Sequence, residues 1–434
     1  MQVVIALPAP DGIDRLNTRI CGVPVLGRVI TTALRNGAAR FLILKPASVP
    51  DEWVARHFGS RTDAPVRIRT LEVESPFDPG KPDDWQALAP HLDERFLWMP
   101  CDYLVHRAAL AELLAVAADC PDSAVRFSGV SDEGRDRRIF ERPTVLVKSD
   151  QLTGRVSEFQ IATTQGQPGL VMRAPATPRD VERELVRHSG KVTDGIYSRF
   201  NRMLSRPAVR WLSHTKVTPN AVSLTGLAVA VLAGFCFARG GWAFNVAGAL
   251  LFFLSGIVDE MDGMLARLTF RESAFGCWLE TMVDYATYLL VFAGMAAGGY
   301  RREGSEYLVL GALLLFGSVL SFIVISRQRM LAAPAGRPNE YAQRYLAALE
   351  HDAANPVSRA VRQLHFLTKK GVLIHYILLF AVLGLLPLCI VLATFGANAA
   401  WIATLYFNRR LFFAKGSRST ALSSGHAVPT QVEK

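Results

Sequence analysis

Two short stretches hold the residues whose types and spacing could do chemistry. In GIVDEMDGMLAR, residues 256–267, Asp259, Asp262, Gly263 and Ala266 stand at i, i+3, i+4 and i+7. In GCWLETMVD, residues 276–284, Gly276, Glu280 and Asp284 stand at i, i+4 and i+8. Either spacing lines one face of a helix. The surroundings read as bilayer interior, with LAVAVLAGFCFA and GALLFFLSG before and YLLVFAGMAAGG after. Acids at the edge of hydrocarbon are costly and functional by default. Four carboxylates cannot stay ionised together without cations, and Arg267 cannot balance all of them. An oxygen-rich set suits hard divalent ions such as Mg²⁺ or Mn²⁺. Such ions would neutralise a bound pyrophosphate while a carboxylate takes a proton from an attacking hydroxyl. Small residues at 263, 266 and 276 let helices approach or leave room for a ligand. Polar glue between helices and an ion pathway are the competing uses of these acids.

The elements that must position them divide the chain in two. Half of the 434 residues are hydrophobic, but the long apolar runs lie only within 217–413. Six spans are expected near 220–238, 242–264, 277–298, 307–326, 371–386 and 388–407, the last two separated at Pro387. Residues 1–190 read as an α/β domain with a largely parallel sheet. Its strand candidates are VVIAL (3–7), RFLILK (40–45), VRIRTL (66–71), RFLWMP (95–100), AVRFSGV (124–130), TVLVKS (144–149) and GLVMRA (169–174), with helices at TTALRNGA and HRAALAELLAVAA. Between the halves, 191–216 reads as a basic amphipathic helix on the membrane surface, bent near Pro207. Arg199, Arg202, Arg206 and Arg210 share one face; Tyr197, Phe200, Leu204 and Trp211 take another. The tail, 414–434, reads as disordered.

The net charge is +10. Its Lys and Arg collect beside the apolar runs, which points to the membrane surface rather than to nucleic acid. The basic 327–370 loop and the positive-inside rule put both termini, the 265–276 loop and the acidic cluster on the cytoplasmic side. MQVVIALPAPDG has no basic n-region and too short an apolar run for a signal peptide. Arg327, Arg329, Lys369 and Lys370 are candidates for anionic substrate contacts, though ordinary anchoring explains each as well. The six cysteines form no CxxC pair and read as buried reduced thiols.

The motif resembles that of the CDP-alcohol phosphotransferase family, D-x2-D-G-x2-A-R-x8-9-G-x3-D-x3-D. Asp259, Asp262, Gly263, Ala266, Arg267, Gly276 and Asp284 match it, and Glu280 stands where the family has Asp. VTPNAVSLTGL, 217–227, is similar to the family's lead-in to the first span, and the likeness covers about residues 190–410. The resemblance implies an all-α membrane domain, a site with two divalent metal ions, a CDP-linked donor, an alcohol acceptor and a homodimer. Asp259, Asp262, Glu280 and Asp284 would hold metal, Asp284 would also be the base, and Gly263, Ala266, Arg267 and Gly276 would lie against the CDP moiety.

The N-terminal half resembles a nucleotidyltransferase of Rossmann type, as in bifunctional inositol-phosphate cytidylyltransferase/CDP-inositol phosphotransferase proteins. Its chemistry is eroded. A phosphate-cradling loop needs glycines with free N–H groups, whereas ALPAPDGIDR has one Gly and two Pro. A catalytic Lys is missing between Leu16 and Gly22. Asp102 matches the first metal-binding Asp of that fold, and Ala176 stands where the second is expected. The expectation is a domain that has lost cytidylyl transfer; a divergent enzyme using Asp102, Arg15 and Lys148 is the other reading. For the whole chain, a scaffold with both sites decayed and a cation transporter are the alternatives to a transferase.

Overall fold

The fold is that of a computed structural model, which describes residues 1–58, 66–73, 76–120, 124–127, 144–147, 161–164, 171–173, 178–190, 196–332 and 370–407. By packing, the chain forms two units that interleave in sequence. One comprises Met1–Gly195, Arg202–Pro219 and Glu260–Glu272, and the other Ile196–Asn201, Asn220–Asp259 and Ser273–Lys434.

In the first unit the strands are β1 (Gln2–Ala6), β2 (Arg19–Ile20), β3 (Val23–Pro24), β4 (Arg40–Pro46), β5 (Arg67–Val73), β6 (Arg95–Trp98), β7 (Tyr103–Val105), β8 (Ala124–Phe127), β9 (Thr144–Val147), β10 (Ile161–Thr164) and β11 (Val171–Arg173). Seven make one sheet in the order β10-β8-β9-β6-β1-β4-β5. Neighbours are parallel except along β9, which runs antiparallel to β6 and to β8. The helices are α1 (Ile13–Asn17), α2 (Val25–Arg35), α3 (Asp51–Phe58), α4 (Pro82–Leu88), α5 (Arg107–Asp119) and α6 (Pro178–His188).

Period-2 alternation explains the layers. Val3, Ile5, Phe41 and Ile43 face a core shared with Val29, Ile30, Leu110 and Leu113 of α2 and α5. Val4, Leu42, Leu44 and Phe96 face the other way, onto Trp85 and Leu88 of α4. Both faces are covered, so the strands read as continuous apolar runs.

Two strand expectations change. GLVMRA does not join the main sheet: Val171–Arg173 pairs antiparallel with Tyr103–Val105. The seventh place goes to Ile161–Thr164, beside β8. IATT carries too little apolar alternation to stand out in sequence; its place is decided by the open edge of β8.

α7 (Ile196–Ser213) begins in the second unit and continues in the first, and Pro207 lies inside it without ending it. Tyr197, Phe200, Leu204 and Trp211 are exposed, as a membrane-surface helix requires. The basic face, however, is not a free one. Arg202 is buried and bonds Glu260 at 2.8 Å, and Arg210 bonds Glu182 at 2.9 Å. Opposite charges that lie far away in sequence turn these two arginines inward.

The helices of the apolar half are α8 (Pro219–Arg239), α9 (Trp242–Thr269), α10 (Ala274–Glu303), α11 (Glu306–Ala332), α12 (Lys370–Val382) and α13 (Leu386–Phe407). Among the described residues five are long and apolar enough to cross a membrane, one fewer than the six expected. Within the described residues, the segment expected at 371–386 forms the 13-residue α12, about 20 Å long against a hydrocarbon core of about 30 Å. The break falls at Gly384, with φ +72°, and Pro387 sits in the first turn of α13. Glycine past a helix end and proline just inside the next follow the usual asymmetry of helix termini.

Within the second unit α8 and α10 cross on glycine. A Cβ at Gly294 would run into the Gly234 carbonyl, and one at Gly298 into the Phe237 carbonyl. Small residues let backbones approach where lipid gives no hydrophobic drive to associate. Of the cysteines, none of them in a disulfide, Cys21, Cys101 and Cys389 are buried, whereas Cys277 at the start of α10 is exposed. The expected tail at 414–434 lies outside the described residues.

Candidate active site

α9 carries Asp259, Asp262, Gly263, Ala266 and Arg267 on its last three turns, and α10 carries Gly276, Glu280 and Asp284 on its first three. Asp262 is 3% exposed. Asp259, Glu280, Asp284, Gly263, Ala266 and Gly276 are half-buried. Asp259 follows a tight approach of α8: Ser255 donates to the Gly226 carbonyl at 2.9 Å, and a Cβ at Gly226 would lie 3.4 Å from Val258.

α10 starts where it does because of Ser273. Its backbone is extended, and its Oγ accepts the Gly276 N–H at 2.9 Å, satisfying one orphan donor of the first turn. Gly276 serves this cap. A side chain there would stand 3.0 Å from Ser273 Oγ and 3.2 Å from Asn220 Oδ1 of α8. One turn beyond Asp284 on α10 lies Tyr288. Ser273, Asn220 and Tyr288 escaped the sequence reading. The i+4 step from Asp284 and the Ser three residues before Gly276 were the available signals.

The last turns of α9 belong to the first unit. Glu260 accepts from the buried Arg202, a pairing that offsets the desolvation of both ions. Gly263 makes room for Arg267: a Cβ there would meet Nη1 at 3.2 Å, so the guanidinium folds back over the glycine. Arg267 Nε donates to the Ser189 carbonyl at 2.7 Å. The surroundings are electropositive. Burial first, then the charges of His188, Arg267 and Arg107, holds the His106 imidazole below its ordinary value.

Among the described residues no group of three or more His, Cys, Asp or Glu side chains stands ready to hold a metal ion. By donor chemistry the four carboxylates fit a hard divalent cation, being all oxygen.

The first unit's own expected site is partly in place. β6 neighbours β1 on the side opposite β4, so strand order reverses between β1 and β6, the position where open α/β sheets bind ligands. Asp102 lies in the turn after β6, half-buried, and Arg15 is exposed on α1. The loop after β1 closes on itself: Gly12 N–H donates to the Ala9 carbonyl at 2.8 Å, and a Cβ at Gly12 would touch Pro8 at 3.0 Å. Lys148, Ala176 and Lys369 lie outside the described residues. Arg327 is exposed on α11, which also carries Arg329; Lys370 opens α12.

A family model described as CDP-alcohol phosphatidyltransferase matches residues 216–381, which contain every residue of the acidic motif. A "Bifunctional IPC transferase and DIPP synthase" of Rubrobacter xylanophilus is 31% identical over 365 residues, covering 74% of this chain and 80% of that protein. This chain belongs to the CDP-alcohol phosphatidyltransferase family. An "Archaetidylinositol phosphate synthase" of Methanothermobacter thermautotrophicus is 33% identical over 110 residues, 25% of this chain and 52% of that protein. A protein of Aquifex aeolicus with the same name as the Rubrobacter one is 27% identical over 284 residues, 62% of this chain and 59% of that protein. The chain thus spans between half and three fifths of these last two relatives. The Rubrobacter match extends well beyond the membrane segment that the family model covers.

Proposed function

We propose that this protein is an integral membrane transferase that moves a phospho-alcohol or phosphatidyl group from a CDP-activated donor to an alcohol, releasing CMP, in phospholipid or polar-lipid synthesis. The observation that carries this reading is the ordered set Asp259, Asp262, Gly263, Ala266, Arg267, Gly276, Glu280 and Asp284 on two successive helices inside the family match. In the reaction, an acceptor hydroxyl oxygen bonds to the phosphorus bearing the donated group. The phosphoanhydride bond to CMP breaks, and the hydroxyl proton passes to Asp284. Asp259, Asp262, Glu280 and Asp284 would hold two divalent metal ions. When bound, Mg²⁺ or Mn²⁺ would supply charge neutralisation at the pyrophosphate. Gly263, Ala266, Arg267 and Gly276 would border the CDP moiety, with Arg267 as its cation.

The names of the relatives support a polyol-type acceptor or donor, as does a fused nucleotidyltransferase-like unit of Rossmann type. The self-closed loop at Gly12 supports a unit that no longer transfers cytidylyl groups. We take α12 as a short fifth of six spans, the first unit and the acidic ends as cytoplasmic, and the assembly as a homodimer.

The test is CMP release from purified protein in detergent. Mg²⁺ or Mn²⁺ is supplied, and CDP-diacylglycerol and CDP-inositol are offered against a panel of alcohols. Metal-dependent release is expected, falling at least about a thousandfold in Asp284→Asn. Folded, metal-binding protein that releases no CMP with any pair would sink the reading in favour of a scaffold or transporter.

A further inference from the structure

The first unit holds a buried cation that no nucleotide chemistry uses. Arg28, on the second turn of α2, is 5% exposed. Its Nε and Nη2 donate to the Ile20 carbonyl at 3.0 and 2.8 Å, which fixes the guanidinium. The same Nη2 reaches the Leu268 carbonyl at 2.7 Å, 240 residues away in sequence. Leu268 is in the last turn of α9, whose final four carbonyls lack intrahelical partners. Arg271 N–H takes the Ala266 carbonyl at 2.9 Å, and Phe270 N–H takes that of Arg267 at 3.4 Å. This double closure needs a left-handed residue just past the helix, ordinarily glycine. Here that residue is Phe270, with φ +55°. Its ring is held under Arg28, whose Cζ lies 5.3 Å from the centroid, a cation–π arrangement.

We propose that Arg28 is a positioning residue for the transferase motif: by bonding the Leu268 carbonyl and stacking on Phe270 it closes the carboxyl end of α9 and sets the rotation of Asp262, Gly263 and Arg267. The proposal rests on the transferase reading above. It also gives the first unit a role that survives the loss of its own chemistry, as a brace for the helix that carries the motif. The cation suits that end of the helix dipole. Arg267, one residue before Leu268, is meanwhile held by the Ser189 carbonyl. Lysine cannot replace Arg28, because a point charge on a flexible stem cannot serve two carbonyls and a ring at once.

The test compares full-length wild-type protein with Arg28→Met, Arg28→Lys, Phe270→Gly and the Arg28→Met/Phe270→Gly double variant. Two readouts are used: amide hydrogen exchange over residues 266–271, and steady-state CMP release against donor and acceptor concentration. Arg28→Met should exchange there about tenfold faster, with the sheet core unchanged. Its KM for the CDP donor should rise about fivefold or more while its acceptor KM stays put. A general loss of folded enzyme would instead lower the apparent kcat and leave both KM values alone. Arg28→Lys should resemble Arg28→Met. Phe270→Gly, which fits the left-handed position without strain, should slow exchange in the Arg28→Met background and recover part of the donor affinity. Unchanged exchange in Arg28→Met, or raised exchange with an unchanged donor KM, would overturn the proposal. Should Arg28→Met not fold, Arg28→Lys decides by the same two readouts. Wild type that releases no CMP sinks the transferase reading instead, and exchange alone then decides whether Arg28 closes the helix.

Discussion

At the residue scale the site turns on one departure from the family motif. Glu280 keeps the carboxylate of the expected Asp and adds one methylene, so the charge is preserved and the reach is not. It shares the face of α10 with Gly276 and Asp284, and a longer side chain can meet a metal ion from a backbone set further back. Glu280→Asp is therefore expected to hold CMP release within about tenfold of the native rate, whereas Glu280→Ala lowers it about a hundredfold or more. The decisive measurement is the Mn²⁺ concentration for half-maximal rate. An Ala variant with an unaltered metal requirement would remove Glu280 from the metal set. The acid positions were readable because their types are out of place in hydrocarbon. Gly263 was readable as small and, by the resemblance, as a neighbour of the CDP moiety. That it leaves room for the Arg267 guanidinium is a feature of the tertiary structure alone.

Helices of this membrane unit are spaced by their glycines. Gly234, Gly294 and Gly298 bring α8 and α10 to backbone contact, and α10 is the helix that carries Glu280 and Asp284. Gly294→Leu forces that crossing apart and should cost about 2 kcal/mol by the usual price of overpacking. Gly396→Ala, at a position with no heavy atom within 4 Å of a built Cβ, should lie within about 0.5 kcal/mol of the wild type. Thermal unfolding in one detergent compares them, and equal loss in both variants would remove the close crossing as the cause. Element existence was legible from apolar length and period. Element partnership was not, as β10 and β11 illustrate: a four-residue strand with weak alternation finds its place only through the edge that accepts it.

For the whole molecule, the prediction concerns sidedness. With the acidic ends of α9 and α10 cytoplasmic, the α10–α11 turn at Ser305 must face the other side. Cys277, exposed at the start of α10, should react with a membrane-impermeant maleimide only in inside-out vesicles. A Ser305→Cys change in a Cys277→Ser background should react only in right-side-out ones. Both thiols reacting from one side would contradict the orientation. The arrangement also accounts for the basic helix α7. Its exposed Tyr197, Phe200 and Trp211 suit the interface, while Arg202 and Arg210 are spent on Glu260 and Glu182 rather than on lipid.

The sequence by itself determined the class and pointed to the proposed chemistry. Hydrophobic length separates the membrane half from the α/β half, and four acids at helical spacing inside it mark the candidate site. Local patterns carry such information because periodicity and composition act over a few residues. Only the tertiary structure decided which charges are spent on one another, where the helix breaks between the last two apolar segments, and what closes the end of α9. Arg28 meets Leu268 across 240 residues, and nothing in either neighbourhood announces the other. A buried hydrogen bond is specified by the fold that brings its two groups together, not by the sequence around either of them.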